Sequence, residues 1–243
     1  MAQSGRGGGR RPGGPARGGR AKTGGRPAAA RRDRAPREAA PAPEEPRTFR
    51  LGAIPGATPG KWIDRWRERL PHVELELVPL EVATQRDAIL SGDVDAALIR
   101  LPIDTDDLHV IRLYDETAVV VTSIDSALTA ADELEADDLA GEVLIVPRDD
   151  VLGPVAVPNT VAPRFDPPET TADAIATVAA GVGVVIVPMS LARVHQRRDI
   201  AHRPLRDAPT STVALAWHAD RTTSDVDAFV GIVRGRTSNS SRS

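Results

Sequence analysis

The stretch Glu169–Val194, ETTADAIATVAAGVGVVIVPMSLARV, changes its periodicity halfway, and that change decides the fold. Ala172, Ile175, Ala176 and Ala179 follow the i, i+3, i+4, i+7 spacing of one helix face. Gly181 comes next, where a left-handed C-cap needs a residue without Cβ. Val184-Val185-Ile186-Val187 then forms a β-branched run with no polar alternation, the pattern of a strand covered on both faces. Pro188 ends it, and Met189 to Val194 can start another helix. Helix, glycine corner and buried strand together predict a unit of a parallel α/β sheet.

The same order occurs upstream. Val82 to Leu90 is helical in pattern, Gly92 stops it, and Val94 to Ile99 runs as a strand into Arg100. No close repeat of letters accompanies the two copies, so the likeness is architectural and predicts two similar α/β lobes.

Around these units the chain alternates regularly. Phe49 to Ile54 opens as a strand, and Pro55–Gly60 turns into a helix with Thr58 as expected N-cap and Pro59 at the first helical position. Ile63, Trp66 and Leu70 give that helix its inner face, and Pro71 ends it. Val73 to Leu77 alternates strictly, so one face should be wet. Strands are expected at 108–114, 117–122, 143–147, 200–205 and 212–217, and a last helix around Val226–Val233. Six prolines between Pro147 and Pro168 argue against a long helix there. The acidic run Asp132–Asp138 reads as solvated surface.

Composition separates an arm from a body. The first forty residues carry ten arginines and one lysine against Asp33 and Glu38, a charge of +9 in a chain of −3, which leaves −12 for residues 41–243. Ten of the 20 glycines precede Arg26, and no large apolar residue lies between Ala2 and Pro46. Such a segment cannot bury enough surface to offset its chain entropy, so residues 1–48 are expected to be a disordered basic arm. Arginines spaced by glycine over residues 6–37 could neutralise phosphates of a nucleic acid without reading bases, or serve only as a solubilising tail. The polar tail 235–243 is also expected to be disordered.

Several classes of function drop out. There is no cysteine, hence no disulfide framework, thiolate metal site or cysteine nucleophile. No run is long and apolar enough for a bilayer, and the N-terminus lacks the core of a secretory signal, so a cytoplasmic location without membrane attachment is expected. Three Trp, three Phe and one Tyr are too few for a base-stacking platform. In GATPGK (Gly56–Lys61) only three residues separate the glycines and Trp62 stands where a P-loop has its hydroxyl. Gly181-Val182-Gly183 precedes a strand and has Ile186 where a dinucleotide fingerprint needs glycine. His72, His109, His195, His202 and His218 share no metal-ligand spacing, and there is no GxSxG elbow. Neither a cofactor, a metal nor a catalytic residue is expected.

Four phrases carry a resemblance: LGAIPGATPGKWIDRWRERLPHVELELV from Leu51, AILSGDVDAALIRLP from Ala88, LAGEVLIVP from Leu139 and TVAAGVGVVIVPMSLAR from Thr177. In this order and spacing they resemble the effector-binding domain of LysR-type transcriptional regulators. The resemblance implies a type 2 periplasmic-binding-protein fold, two α/β lobes joined by two crossing strands, with a small-molecule effector in the cleft between them. On this chain the domain would span 49–234, lobe one being 49–120 plus 212–234 and lobe two 121–211. The family places a winged helix-turn-helix ahead of this domain, where this sequence has the Gly/Arg/Pro-rich arm, a composition unable to form a recognition helix. It also generally has a helix where this chain has the shorter, proline-filled loop Pro147–Glu169, which bears on the second-lobe wall of the cleft and on the family's dimerisation; a homodimer stays open.

Anionic ligands in such folds sit at strand carboxyl ends and helix N-termini. The candidate contacts are therefore Gly56, Ala57 and Thr58, then Arg100, then Pro147 and Arg148, then Thr170 and Thr171. Arg100 could fork onto the carboxylate of an organic anion or pair with Asp104. The three threonines could touch ligand or only cap helices. The leading reading is a ligand-sensing, regulatory domain; a binding module with a vestigial cleft is the contrasting one.

Overall fold

The protein was analysed as a computed structural model, which describes residues 47–235. The expectations made for the arm up to Pro46 and for residues 236–243 lie outside that range. Arg47 and Thr48, placed in the arm on composition, already belong to the first strand.

β1 (Arg47–Ala53), β2 (Val73–Pro79), β3 (Ala96–Arg100), β4 (Leu108–Glu116) and β9 (Ser211–His218) make a five-stranded sheet in the order β2-β1-β3-β9-β4. β5 (Ala118–Ser123), β6 (Leu144–Ile145), β7 (Val184–Pro188) and β8 (Ile200–Pro204) make a second sheet in the order β6-β7-β5-β8. The chain changes sheet at Thr117 and returns between Pro204 and Ser211. β5 therefore pairs wholly within the second sheet, with β7 and β8.

Five helices flank the sheets: α1 (Gly60–Arg69), α2 (Gln85–Ser91), α3 (Thr171–Ala179), α4 (Met189–Val194) and α5 (Ser224–Val233). The opening stretch forms the expected helix, turn and strand, but the inner face of the helix is corrected. α3 buries Thr171, Ala174, Ile175 and Val178, so of the expected face only Ile175 is buried. Ala172 and Ala176 are exposed, because the larger Ile175 and Val178 side chains set which side meets the sheet. Gly181 takes φ 84, and all five residues of β7 are buried. The expected parallel units form: β7 runs parallel to β6 across α3, and β1 runs parallel to β2 and β3. Each sheet is nevertheless mixed, because β5 runs antiparallel to β7, and β9 antiparallel to β3 and β4. Strands that enter from the other sheet arrive without a crossover helix and pair in the opposite sense.

Smaller differences have local causes. Pro59, not Thr58, sits at the N-cap of α1, and no side chain caps that end. The 82–90 pattern divides into a 3-10 turn (Val82–Thr84) and α2. β6 shrinks to two residues, because Val143 instead bridges Val161 in the proline-rich loop. That loop holds no helix, as its prolines demand.

The first sheet packs α1 and α5 through Phe49, Trp66 and Phe229. Their ring centroids lie 4.6 Å (Phe49–Trp66), 5.3 Å (Phe49–Phe229) and 5.9 Å (Trp66–Phe229) apart. Trp66 Nε1 donates to Val73 O at 3.1 Å, which satisfies the one polar atom of that ring. The second sheet packs α3 and α4 through Val119, Val121, Ile175, Val178, Val185, Val187 and Leu191. No described helix is long and apolar enough to cross a membrane.

Candidate functional site: a cleft where the two sheets meet

The turn after β1 touches the second sheet's helix. Gly56 has φ 85, and a Cβ on it would run into Oγ and Cβ of Ser190 in the first turn of α4. Glycine is needed here twice over, for the left-handed backbone and for the close approach. Pro188 stops β7 and launches α4, so the position of Ser190 follows directly from the sequence change at that proline.

Beneath this contact lies a buried polar clasp. Arg100, the last residue of β3, is 1% exposed. Its Nη1 donates to Glu116 Oε2 at 2.8 Å and also to Ser211 Oγ. Ser190 Oγ donates to the same Glu116 oxygen at 2.8 Å. One carboxylate at the end of β4 thus joins β3 of the first sheet to α4 of the second. The side chain of Gln85 brackets the Arg100 backbone, its Nε2 donating to Arg100 O at 2.9 Å and its Oε1 accepting from Arg100 N at 2.8 Å. Nε and Nη2 of Arg100 are buried with no hydrogen bond. Arg100 therefore pairs with Glu116, whereas Asp104 is taken by Arg86 at 3.0 Å. With its guanidinium enclosed, Arg100 offers no open face to a cleft ligand.

Above the clasp is a cleft of about 580 Å³, within the range of small-molecule sites. The first sheet contributes Gly56 and Thr58, the crossing segment Tyr114 to Thr117, and α4 contributes Met189, Ser190, Arg193 and Val194. Both acids in the lining are engaged: Glu116 in the clasp, and Asp115 by the Thr212 hydroxyl and by Arg112 at 3.4 Å. Burial raises the Tyr114 phenol above its ordinary pKa, Glu116 raises it further, and Arg100 opposes them. The phenol is accordingly a proton donor at neutral pH.

The eight candidates from the sequence separate into groups. Gly56 and Thr58 line this cleft, with Ala57 between them. Arg100 lies behind it. Pro147 borders a different cavity of about 310 Å³, walled by Leu144, Val146, Pro154 and Val155. Arg148 bonds Pro168 O through its backbone and Glu169 through its side chain at 2.9 Å. Thr170 caps α3 by accepting from Asp173 N, and buried Thr171 donates to Asp149 at 2.9 Å. These last four serve the proline-rich loop and the start of α3. Sequence reading missed Tyr114, Thr117, Ser190 and Arg193. A signal for two of them was present, since Ser190 and Arg193 follow the carboxyl end of β7, the kind of position used to choose the others.

The family model of the LysR substrate binding domain matches residues 42–238. The Hca operon transcriptional activator HcaR of Escherichia coli (strain K12) is 26% identical over 206 residues, 79% of this chain and 69% of that protein. The HTH-type transcriptional regulator CatR of Pseudomonas putida is 35% identical over 152 residues, 58% of this chain and 52% of its own length. The chain thus spans between about half and just over two thirds of these relatives. Among solved structures, the reduced OxyR regulatory domain from Pseudomonas aeruginosa is 25% identical with a TM-score of 0.59, covering 79% of this chain and 96% of that one. The BenM effector binding domain, solved with its effector benzoate, has a TM-score of 0.62 at 22% identity, over 78% of this chain and 91% of that one, and bears on the fold alone.

Proposed function

This chain belongs to the LysR substrate-binding-domain family, and on that premise we propose that it senses a small molecule and serves transcriptional regulation. The ligand enters the cleft between the Gly56 turn, the 114–117 crossing segment and α4, and its binding shifts one sheet against the other as in a binding-protein hinge. The observation that carries this reading is a cleft of about 580 Å³ lined from both sheets and from the segment that joins them. A ligand there touches both sides of the hinge, so its affinity must depend on their relative position. The relatives named above are regulators rather than enzymes, and a cytoplasmic setting goes with that role.

The test is isothermal titration of the full chain with fractionated metabolite pools, beside Thr58→Trp. Thr58 is exposed at the cleft, so a tryptophan there fills the cavity without entering the core. Binding by the parent and none by Thr58→Trp is the expected result. Equal binding by both would remove the cleft from the account.

A second component rests on the charge of +9 over the first forty residues. We propose that residues 6–37 hold nucleic acid through phosphates. With about six to eight charges engaged, log K should fall against log salt with a slope of roughly −5 to −7. Gel shifts of the full chain and of a Δ1–46 form should differ; equal retardation would leave the arm as a solubilising segment.

A further inference from the structure

The cleft contains charges that are spent and one that is not. Glu116 is neutralised by Arg100 and Asp115 lies against Arg112. Arg193, exposed in the last turn of α4, borders the cleft, and its guanidinium makes no hydrogen bond or ion pair among the described residues. Asp199, the next acid along the sequence, is held by Arg197 at 2.9 Å. The charge of Arg193 is nevertheless felt nearby. His202 is held below its ordinary pKa first by burial, then by Arg193 and Arg203. Around the same cleft the hydroxyls of Thr58, Tyr114 and Thr117 also have no side-chain partner among the described residues. Met189 and Val194, the latter 56% exposed, supply an apolar wall.

We propose that Arg193 is the specificity-determining residue of the cleft and selects a small monocarboxylate with an apolar body. The carboxylate lies on the guanidinium, which presents paired donors suited to it. The free hydroxyls supply further donors, and the body covers Met189 and Val194. One uncompensated cation balances one negative charge. A phosphate dianion would bring a second negative charge with no second cation to balance it, which disfavours it. This deepens the cleft reading above and rests on it. It also moves the role of anion reader from Arg100, which is enclosed, to a residue 93 positions later in the chain.

The experiment is thermal-shift titration of the full chain at fixed ionic strength with matched pairs: benzoate and benzamide, hexanoate and hexanamide, and inorganic phosphate alongside. At least one acid should raise Tm while its amide and phosphate do not. Arg193→Gln should need about tenfold more acid or worse, the usual loss of a charge-assisted hydrogen bond. Arg193→Lys should fall between, and Arg198→Gln, equally exposed but outside the cleft lining, should match the parent. The proposal is overturned by an acid that acts equally on Arg193→Gln, by amides or phosphate acting instead of acids, or by no acid acting up to about 10 mM. A compound abolished by Thr58→Trp yet indifferent to Arg193→Gln ends the Arg193 assignment and keeps the cleft. One that survives Thr58→Trp ends the cleft reading itself.

Discussion

The two sheets reach a packed core by different means. The first is held by three interlocked rings, Phe49, Trp66 and Phe229, and by α1 and α5, each of ten residues. The second has no buried ring at all: Val119, Val121, Val185 and Val187 pack against Ile175, Val178 and Leu191, and one edge strand is only two residues long. Large flat side chains concentrate burial in a few positions, whereas β-branched strands spread it over many. The difference suggests a stiff first body, and a second whose wall, the proline-rich loop, is held by local bonds such as Arg148–Glu169 and Thr171–Asp149.

The largest expected effect tests the stiff side. Trp66→Ala removes a fully buried ring from the centre of the first core and leaves Val73 O without its donor. It should cost about 3–5 kcal/mol, read as a fall in urea midpoint. A loss under about 1 kcal/mol, the scale of surface changes, would mean that the rings are not what holds this core. Next comes the clasp. Glu116→Gln keeps the shape but leaves the buried Arg100 cation uncompensated, which should cost about 3 kcal/mol. Arg100→Met with Glu116→Gln should recover part of that loss, because the buried charge is then gone. If the double variant is worse than the single, the pair contributes through more than charge compensation.

On the aliphatic side Ile175→Ala should cost about 2–3 kcal/mol, less than Trp66→Ala because less volume is removed. Its distribution matters more than its size. Trp62, Trp66 and Trp217 all belong to the first core, so tryptophan fluorescence reports that core while circular dichroism reports both sheets. If the sheets unfold as one, the two signals move together in Ile175→Ala. If they unfold separately, the dichroism midpoint falls and the fluorescence midpoint stays.

Most of this architecture was legible from local pattern. The run Val184–Val187 between Gly183 and Pro188 announces a strand buried on both faces, and helix–glycine–strand order predicts the α/β units. The parallel pairs were legible from the helices between them, but the antiparallel pairing of β5 and β9 was not, because it depends on which sheet the chain comes from. Nor was the site. Arg100 looks available when only Leu101, Pro102 and Asp104 are in view, yet its partners are Glu116, sixteen residues on, and Ser211, on the returning strand. Electrostatic availability is a property of the assembled fold. Arg193 shows the converse: it stands amid the basic run 193–203, and only the fold makes it the unspent cation of a cleft.

The smallest predicted loss bears most directly on how the two halves communicate. Ser190→Ala removes one hydroxyl donor from Glu116 and leaves Arg100 on the same oxygen, so stability should drop by only about 1 kcal/mol. The Cβ that meets the Gly56 turn is retained, so packing across the cleft floor changes little. What is lost is the bond that ties α4 to a carboxylate anchored in the first sheet. If that bond couples the sheets, fluorescence and dichroism midpoints that coincide in the parent should separate in Ser190→Ala, despite the small change in total stability. Ser190→Thr, which keeps a hydroxyl, should bring them back together. Should they coincide in all three proteins, the coupling is carried by the two backbone crossings, and the Ser190 bond is only local. A ligand in the cleft would then have to act through Thr117 and the 205–210 return rather than through α4.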